Sequence, residues 1–262
     1  MKIAVVSQQN SIGSSTFCVL LSTVFAKTQF RHAAVLSTKG IESILTMCNI
    51  HDTKAITKSF NVYQAMLETN SIRGEELYDY GYRLGKVDAF AFDYFGRNTS
   101  SNSADVFLST MRAVPAEMVL VEITGDINSK FNKQIIANVD VVLYLFDSSL
   151  SSAAGLKKFN EDMPSQIIAR TGYILMKYDR DTLSEKRIAA EAGITVRSMM
   201  QFPYNPVVIR EGFNGNLTSL TDKVASGASE VLNLRPKLLE IMQFLYDSGK
   251  VHYIRGFDKW GR

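Results

Sequence analysis

Short apolar runs alternate with longer stretches of helical periodicity along most of this chain, and this alternation limits the folds it can adopt. Six runs rich in β-branched or aromatic residues predict strands at residues 3–6, 33–36, 87–92, 118–121, 139–146 and 173–176. Several are apolar at nearly every position, which is typical of strands covered on both faces in a mostly parallel sheet. The sequence therefore predicts a doubly wound α/β fold flanked by helices, with ligands favoured at the carboxyl ends of the strands.

The segments between these runs predict helices near residues 15–28, 57–69, 103–114, 130–137, 153–162 and 184–192. Gly193 is a plausible stop for the last of them, and Pro236 is well placed in the first turn of a further helix over 236–246. Two polar segments, 98–103 and 218–229, predict loops. Because no linker or repeat interrupts the pattern, we expect one domain over residues 1–250, followed by a basic and aromatic tail at 251–262.

Composition excludes several classes of protein. The chain has 262 residues and a net charge of +3, which is too small to require a polyanionic partner. No apolar run is long enough for a secretory signal or a membrane span, so we expect a cytoplasmic protein. Cys18 and Cys48 lie in apolar segments and are predicted to be buried, reduced thiols. The three histidines are not spaced as metal ligands, and no metal site is predicted.

The stretch QQNSIGSST at residues 8–16 lies between an apolar strand and an apolar helix. Strand, small polar loop and helix are the layout of a phosphate-binding loop, whose backbone N–H groups face an anion at the helix N-terminus. Such loops normally carry a lysine and several glycines, whereas this one has a single glycine, Gly13, and no lysine. Taken alone, it is either a phosphate site without its chemistry or an ordinary turn between strand and helix.

The order of segments from Met1 to about Leu245 resembles the MinD/ParA family of P-loop ATPases, whose deviant Walker A loop reads KGGxGKTT. The loop of this chain matches that motif at Gly13, Ser15 and Thr16. It departs from the motif at four positions: Gln9 stands at the early lysine, Ser14 at the P-loop lysine, and Asn10 and Ser11 at two glycines.

These departures have physical consequences under the resemblance. Replacing the P-loop lysine by Ser14 removes a charge-assisted phosphate contact of roughly 1.5–3 kcal/mol. Asn10 and Ser11 would narrow a cradle that glycines keep open. Ser15 is the single weak candidate for a magnesium ligand, and the helix N-terminus still favours an anion. We therefore expect no cofactor, with weak binding of ATP and magnesium as the alternative.

Two further motifs of the family handle magnesium and water. The second strand is followed by Ser37-Thr38-Lys39 without any carboxylate; Lys39 either replaces the missing P-loop lysine or is an ordinary exposed lysine. The switch II motif fits two places, the segment that contains Asp93 and the segment that contains Glu122 and Gly125. The strand and serine-rich loop that follow favour the second, so Glu122 is assigned to the Walker-type aspartate.

The base-binding motifs are also altered. The family's asparagine for adenine is replaced by Met176, followed by Lys177, and the loop at Pro203, Tyr204 and Asn205 matches the family closely. The resemblance thus implies the fold of a P-loop ATPase with most residues for hydrolysis missing, because phosphoryl transfer depends on positioning and charge stabilisation.

We therefore expect a pseudo-ATPase that acts as a scaffold or localisation factor for another protein. That partner would belong to a bacterial pilus, secretion, conjugation, partition or division machine. The chain would act as a monomer or as a homodimer. The alternatives are an ATP-dependent switch that uses Lys39 and a non-specific DNA-binding protein. The tail carries aromatic and basic residues that suit partner docking, or less favourably contact with the inner face of a membrane: Tyr253, Arg255, Phe257, Lys259, Trp260 and Arg262.

Overall fold

The structure is a computed structural model that describes residues 1–8, 12–29, 31–38, 42–50, 81–84, 87–91, 103–178 and 184–248. Within these residues eight strands form one sheet. The strands are β1 Lys2–Ser7, β2 Ala33–Ser37, β3 Tyr82–Leu84, β4 Val87–Ala91, β5 Met118–Thr124, β6 Val141–Phe146, β7 Thr171–Tyr178 and β8 Met199–Pro203.

The helices connect these strands. They are α1 Ser14–Gln29, α2 Glu42–Met47, α3 Ser103–Ala113, α4 Lys130–Ala137, α5 Leu150–Asp162, α6 Ser165–Ile168, α7 Glu185–Ala192, α8 Pro206–Phe213, α9 Leu217–Ser226 and α10 Leu234–Ser248. Short 3₁₀ turns lie at Val196–Ser198 and Ser229–Val231.

The strands follow the spatial order β3-β4-β2-β5-β1-β6-β7-β8. Seven strands run parallel, and only β3 at one edge is antiparallel to its neighbour β4. The predicted doubly wound, mostly parallel sheet is confirmed. β1 lies in the middle, between β5 and β6, so the segment that follows it leaves the sheet where the strand order changes direction, which is the favoured ligand position in such folds.

Strand residues alternate between two apolar clusters on the two faces of the sheet. In β1, Ile3 and Val5 belong to the cluster beneath α1, α9 and α10, whereas Ala4 and Val6 belong to the cluster beneath α3, α4, α5 and α7. All four are fully buried. Burial on both faces explains why this strand is apolar at every one of these positions.

The predicted strands and helices that fall within the described residues agree with the structure to within a few residues, but β3, β8, α2, α6 and α8 were not predicted. One segment was predicted wrongly. Residues 218–229 were predicted to form a loop because of their polar composition, but Leu217–Ser226 is a helix. Its apolar residues Leu217, Leu220 and Val224 are spaced by three and four and are buried against the core, so the periodicity outweighs the polar content.

Two predicted boundaries are confirmed, and three predicted segments stay untested. Gly193 ends α7 in the left-handed conformation, with φ +67°, and Pro236 lies in the first turn of α10. The helix predicted over 57–69 lies outside the described residues, as do the segment of Asp93 and most of the loop predicted at 98–103.

Candidate functional site

The loop after β1 ends in a sharp entry into α1. Gly13 has φ +102°, a conformation that favours glycine. The N–H of Phe17 donates to the carbonyl oxygen of Gly13 at 2.8 Å, which closes the first helical turn. Gly13 thus has a backbone role of its own, and Ser14 and Ser15 begin the helix directly behind it.

A buried carboxylate faces the first turn of α1. Oε1 of Glu122 accepts hydrogen bonds from the hydroxyl of Ser14 at 2.5 Å and from the hydroxyl of Ser15 at 2.7 Å. Glu122 is 2% exposed and sits on β5, paired with Val5 of β1 and Ser37 of β2. Strand pairing on both sides therefore fixes the backbone of Glu122, and the two serine hydroxyls hold its carboxylate at the N-terminus of α1, whose dipole favours negative charge.

The backbone of Glu122 also fixes the end of β2. Its carbonyl oxygen accepts the N–H of Thr38 at 3.1 Å and the hydroxyl of Thr38 at 3.0 Å. One turn into α1, burial raises the pKa of the Cys18 thiol well above its usual range, and the charge of Glu122 raises it further. Cys18 is thus a neutral, fully buried thiol beneath the site.

A cavity of about 900 Å³ opens above this carboxylate at the carboxyl ends of the strands. Its floor is formed by residues 12–17 and Glu122. Its walls are mostly apolar, with Met47 from α2, Met176 from β7, Phe202 from β8, and Val208 from α8. Thr16 does not present its hydroxyl as a free ligand, because it donates to Sδ of Met47 at 3.2 Å.

The side of the cavity that corresponds to base recognition is apolar. Met176 is 3% exposed, and its methyl carbon would lie 3.7 Å from a Cβ placed on Gly13. Lys177 is exposed, with φ +53°, at the point where the register between β7 and β8 shifts. The N–H of Tyr204 donates to the carbonyl oxygen of Tyr178 at 3.2 Å, which joins the loop after β8 to the end of β7.

Asn205 is buried and its side chain is committed to structure. Its Oδ1 accepts the N–H of Val207 at 2.9 Å and so caps α8, with Pro206 at the first helical position. Its Nδ2 donates to the carbonyl oxygen of Glu230 at 3.2 Å and to Oδ1 of Asn233 at 2.9 Å. The amide therefore ties α8 to the start of α10.

The structure brings most of the predicted pocket residues together around this cavity: Gly13, Ser14, Ser15, Thr16, Glu122, Met176, Lys177, Pro203, Tyr204 and Asn205. Gly125 follows β5 with φ +86° and is not among the lining residues. The remaining predicted site residues lie outside the described part of the chain: Gln9, Asn10, Ser11, Lys39 and all six tail residues from Tyr253 to Arg262.

Sequence reasoning missed the apolar mouth of the cavity. Ile209 and Phe213 of α8 line it and are 39% and 86% exposed. Their spacing of four residues places them on one face of the helix, which is the signal that could have found them. Tyr204, 49% exposed, belongs to the same rim.

The described residues contain neither a metal-binding cluster nor a membrane-spanning helix. No group of three or more histidine, cysteine, aspartate or glutamate residues in that part of the chain could hold a metal ion. None of the helices there combines the length and apolarity that crossing a membrane requires.

No protein-family model matches the chain, and no curated protein matches it in sequence. Solved structures do match. A ParA family ATPase from Chlorobium tepidum TLS has a TM-score of 0.70 at 13% identity, over 92% of this chain and 98% of that one. The MinC:MinD cell division protein complex of Aquifex aeolicus gives 0.65 at 12% identity, over 93% and 96%.

A plasmid partition protein from Borrelia burgdorferi B31 bound to AMPPNP gives a TM-score of 0.64 at 11% identity, over 92% of this chain and 98% of that one. The chain has the P-loop NTPase fold, as shown by its strand order, its mostly parallel sheet and the position of the loop after β1. Within that class, its fold is the one shared by ParA and MinD ATPases, so the resemblance predicted from the motifs is confirmed for the fold.

Proposed function

We propose that this chain is a ParA/MinD-like protein that does not hydrolyse ATP and acts as a scaffold or localisation factor for a partner protein. The partner would belong to a larger assembly of the pilus, secretion, conjugation, partition or division type, and the chain would act alone or as a homodimer. The observation that carries the proposal is the pairing of Ser14 and Ser15 with the buried carboxylate of Glu122.

This pairing opposes a triphosphate at the floor of the cavity. At the position of the P-loop lysine, Ser14 supplies no positive charge and donates its hydroxyl to Glu122. Ser15, the candidate magnesium ligand, donates to the same oxygen. A phosphate placed here would meet a buried negative charge without a lysine from α1, and both electrostatic stabilisation and positioning of a phosphoryl group would be lost.

The opposite end of the cavity supports the same conclusion. Met176 offers a thioether in place of an amide, and a thioether is at most a weak hydrogen-bond acceptor. Asn205 is the nearby side-chain amide that lines the cavity, but its oxygen and nitrogen already have partners in α8, the 3₁₀ turn and α10. Adenine would therefore find few hydrogen-bonding partners among the described lining residues.

The mouth of the cavity supports a protein partner. Tyr204, Ile209 and Phe213 expose apolar surface at one rim, and exposed apolar patches of this kind commonly mark interaction sites. The MinD protein of Aquifex aeolicus has been solved in complex with MinC. By analogy of fold, we assign the rim to partner binding.

Isothermal titration with ATP and Mg²⁺, together with a sensitive phosphate-release assay, tests the loss of hydrolysis. We expect neither micromolar binding nor turnover above the buffer control. Micromolar binding accompanied by turnover would overturn the proposal, because a working nucleotide site would then exist despite Glu122.

Localisation of the fluorescently tagged chain in its source cells tests the scaffold role. We expect Phe213→Ser to disperse a localised signal, whereas Leu150→Ser should leave it in place. Leu150 is the matched control because it is 47% exposed but does not line the cavity. A uniform distribution of the unaltered chain would count against a localisation factor.

A further inference from the structure

The cavity has the size and lining of a small-molecule site. At about 900 Å³ it lies within the range of pockets that enclose drug-sized ligands, and such pockets are mostly apolar with a few placed polar groups. Here Met47, Met176, Phe202 and Val208 provide the apolar wall. A ligand with an apolar body would therefore be favoured, which a triphosphate is not.

The buried carboxylate of Glu122 indicates which head group a ligand of this cavity would carry. Glu122 is 98% buried and lines the cavity. Its Oε1 accepts both serine hydroxyls, while its Oε2 receives no hydrogen bond from any residue that the structure describes. Because the described residues leave this carboxylate oxygen without a donor at the floor of an apolar cavity, it favours a ligand with a hydrogen-bond donor, and a positively charged donor most strongly.

No cation within the described ranges pairs with this carboxylate; the salt bridges there join Lys27 to Asp222, Arg210 to Glu211, Lys223 to Glu230 and Lys237 to Glu240. A buried charge is unfavourable where its surroundings supply no counter-ion, and the described residues around Glu122 supply none. A ligand that brings a positive charge would relieve that cost on binding. The N-terminus of α1 and two hydroxyl donors stabilise the negative charge but do not neutralise it.

The aromatic residues beside the cavity add little to the recognition of a cation. Phe17 and Phe202 pack edge to face, with ring centroids 5.5 Å apart and an interplanar angle of 85°. Both residues border the cavity, but Phe17 is fully buried and Phe202 is 5% exposed. The charge of the ligand is therefore recognised chiefly by Glu122, and the apolar residues contact its body.

We propose that this cavity binds a small organic cation, an ammonium group on an apolar body, whose charged end pairs with Glu122 and whose body lies against the methionine and phenylalanine wall. The inference concerns the same cavity as the proposed function and rests on that cavity not serving a nucleotide. A divalent metal ion is disfavoured as occupant, because Glu122 is the only carboxylate among the described residues that line the cavity, and no cluster of metal ligands occurs within the described residues.

A matched series of three ligands tests the proposal on the unaltered chain. 4-Phenylbutylamine, 4-phenylbutanol and 4-phenylbutyrate share one apolar body and carry a cationic, a neutral and an anionic head group. Isothermal titration should give an affinity for the amine about tenfold or more above that for the alcohol, with the carboxylate weakest. Mg²⁺ alone is titrated as a separate arm and should not bind.

The variant Glu122→Gln identifies the residue responsible. It keeps a polar side chain of the same size, and it should reduce binding of the amine to the level of the alcohol while leaving the alcohol unchanged. Equal affinity of the three head groups for the unaltered chain would overturn the proposal without any variant having to fold. So would a preference for the amine that survives Glu122→Gln.

The outcomes separate this inference from the proposed function. Binding and turnover of ATP would overturn the proposed function whatever the amine does. Absence of ATP binding together with equal head-group affinities would leave the proposed function standing and would remove only the ligand assignment. Tight binding of Mg²⁺ alone, lost in Glu122→Gln, would show a metal ion as the occupant and would also overturn the inference.

Discussion

The hydroxyl of Ser14 lies 2.5 Å from Oε1 of Glu122. The residue at the position of the P-loop lysine therefore donates to a buried carboxylate on β5, and Ser15 donates to the same oxygen at 2.7 Å. Among the described residues, the charge that faces the N-terminus of α1 is therefore negative. Gly13, with φ +102°, forms the sharp backbone turn that leads into that helix.

Ser14→Lys should restore part of the affinity for ATP. A lysine at this position would offset the charge of Glu122 and offer a charge-assisted contact to phosphate of about 1.5–3 kcal/mol, which corresponds to roughly tenfold to a hundredfold in affinity. Titration with ATP and Mg²⁺ measures the gain. Ser14→Met is the control, since it adds similar length without charge, and equal behaviour of the two variants would contradict the electrostatic explanation.

Asn205→Ala should destabilise the fold, because the amide caps α8 and bonds to Glu230 and Asn233. We expect a loss of about 1–3 kcal/mol in the free energy of unfolding. Asn205→Ser keeps an oxygen that can cap the helix and should lose less. Urea unfolding compares the three chains, and equal stability of the alanine and serine variants would argue against the cap.

The sequence predicts the central strands well because they are buried on both faces and are apolar at almost every position. β8 was missed because Gln201 and Pro203 interrupt its short apolar run, and β3 because it has three residues. The helix at Leu217–Ser226 was missed because polar content was given more weight than the spacing of its leucines.

The sequence predicts which residues form the site, but not which of them contact one another. The motifs place Ser14 and Glu122 in one pocket, yet they are 108 residues apart and meet only because β1 and β5 are neighbours. The motif does not predict that Ser14, which is shorter than the motif's lysine, hydrogen-bonds to Glu122, which is longer than the motif's aspartate. The role of Asn205 as a cap likewise depends on Glu230 and Asn233, which no motif includes.

Gly172→Ala should weaken the packing of α10 against β7. A Cβ on Gly172 would lie 2.5 Å from Cε1 of Phe244 and 2.9 Å from Cε of Met200. Displacing the ring should cost about 1–3 kcal/mol of unfolding free energy. The same change in a Phe244→Leu background should cost less, since the contact is gone. Additive effects in this double-mutant cycle would contradict the steric explanation.

Arg170→Met should destabilise the carboxyl end of α4. The guanidinium donates to the carbonyl oxygens of Ile136 and Ala137, each at 3.1 Å, and to that of Val139. Losing these bonds should cost about 1–3 kcal/mol in urea unfolding. Arg112→Met is the control, because Arg112 is exposed and, among the described residues, donates to Asn138 alone, at 3.4 Å. Its effect should stay within about 0.5 kcal/mol. Similar losses in both variants would contradict a specific role for Arg170.

The two thiols should make the fold less stable as the solution becomes alkaline. Burial raises the pKa of Cys48 to about 11 and that of Cys18 well above its usual range, whereas both thiols titrate near 9 in the unfolded chain. The folded state therefore keeps protons that the unfolded state releases. The stabilising contribution of Cys48 is complete below pH 9 and is lost as pH rises from 9 to about 11.

Unfolding in urea at pH 8, 9 and 10 should show this fall in the free energy of unfolding. Cys48→Ala should show a shallower one, and identical slopes for the two chains would exclude Cys48 as a cause.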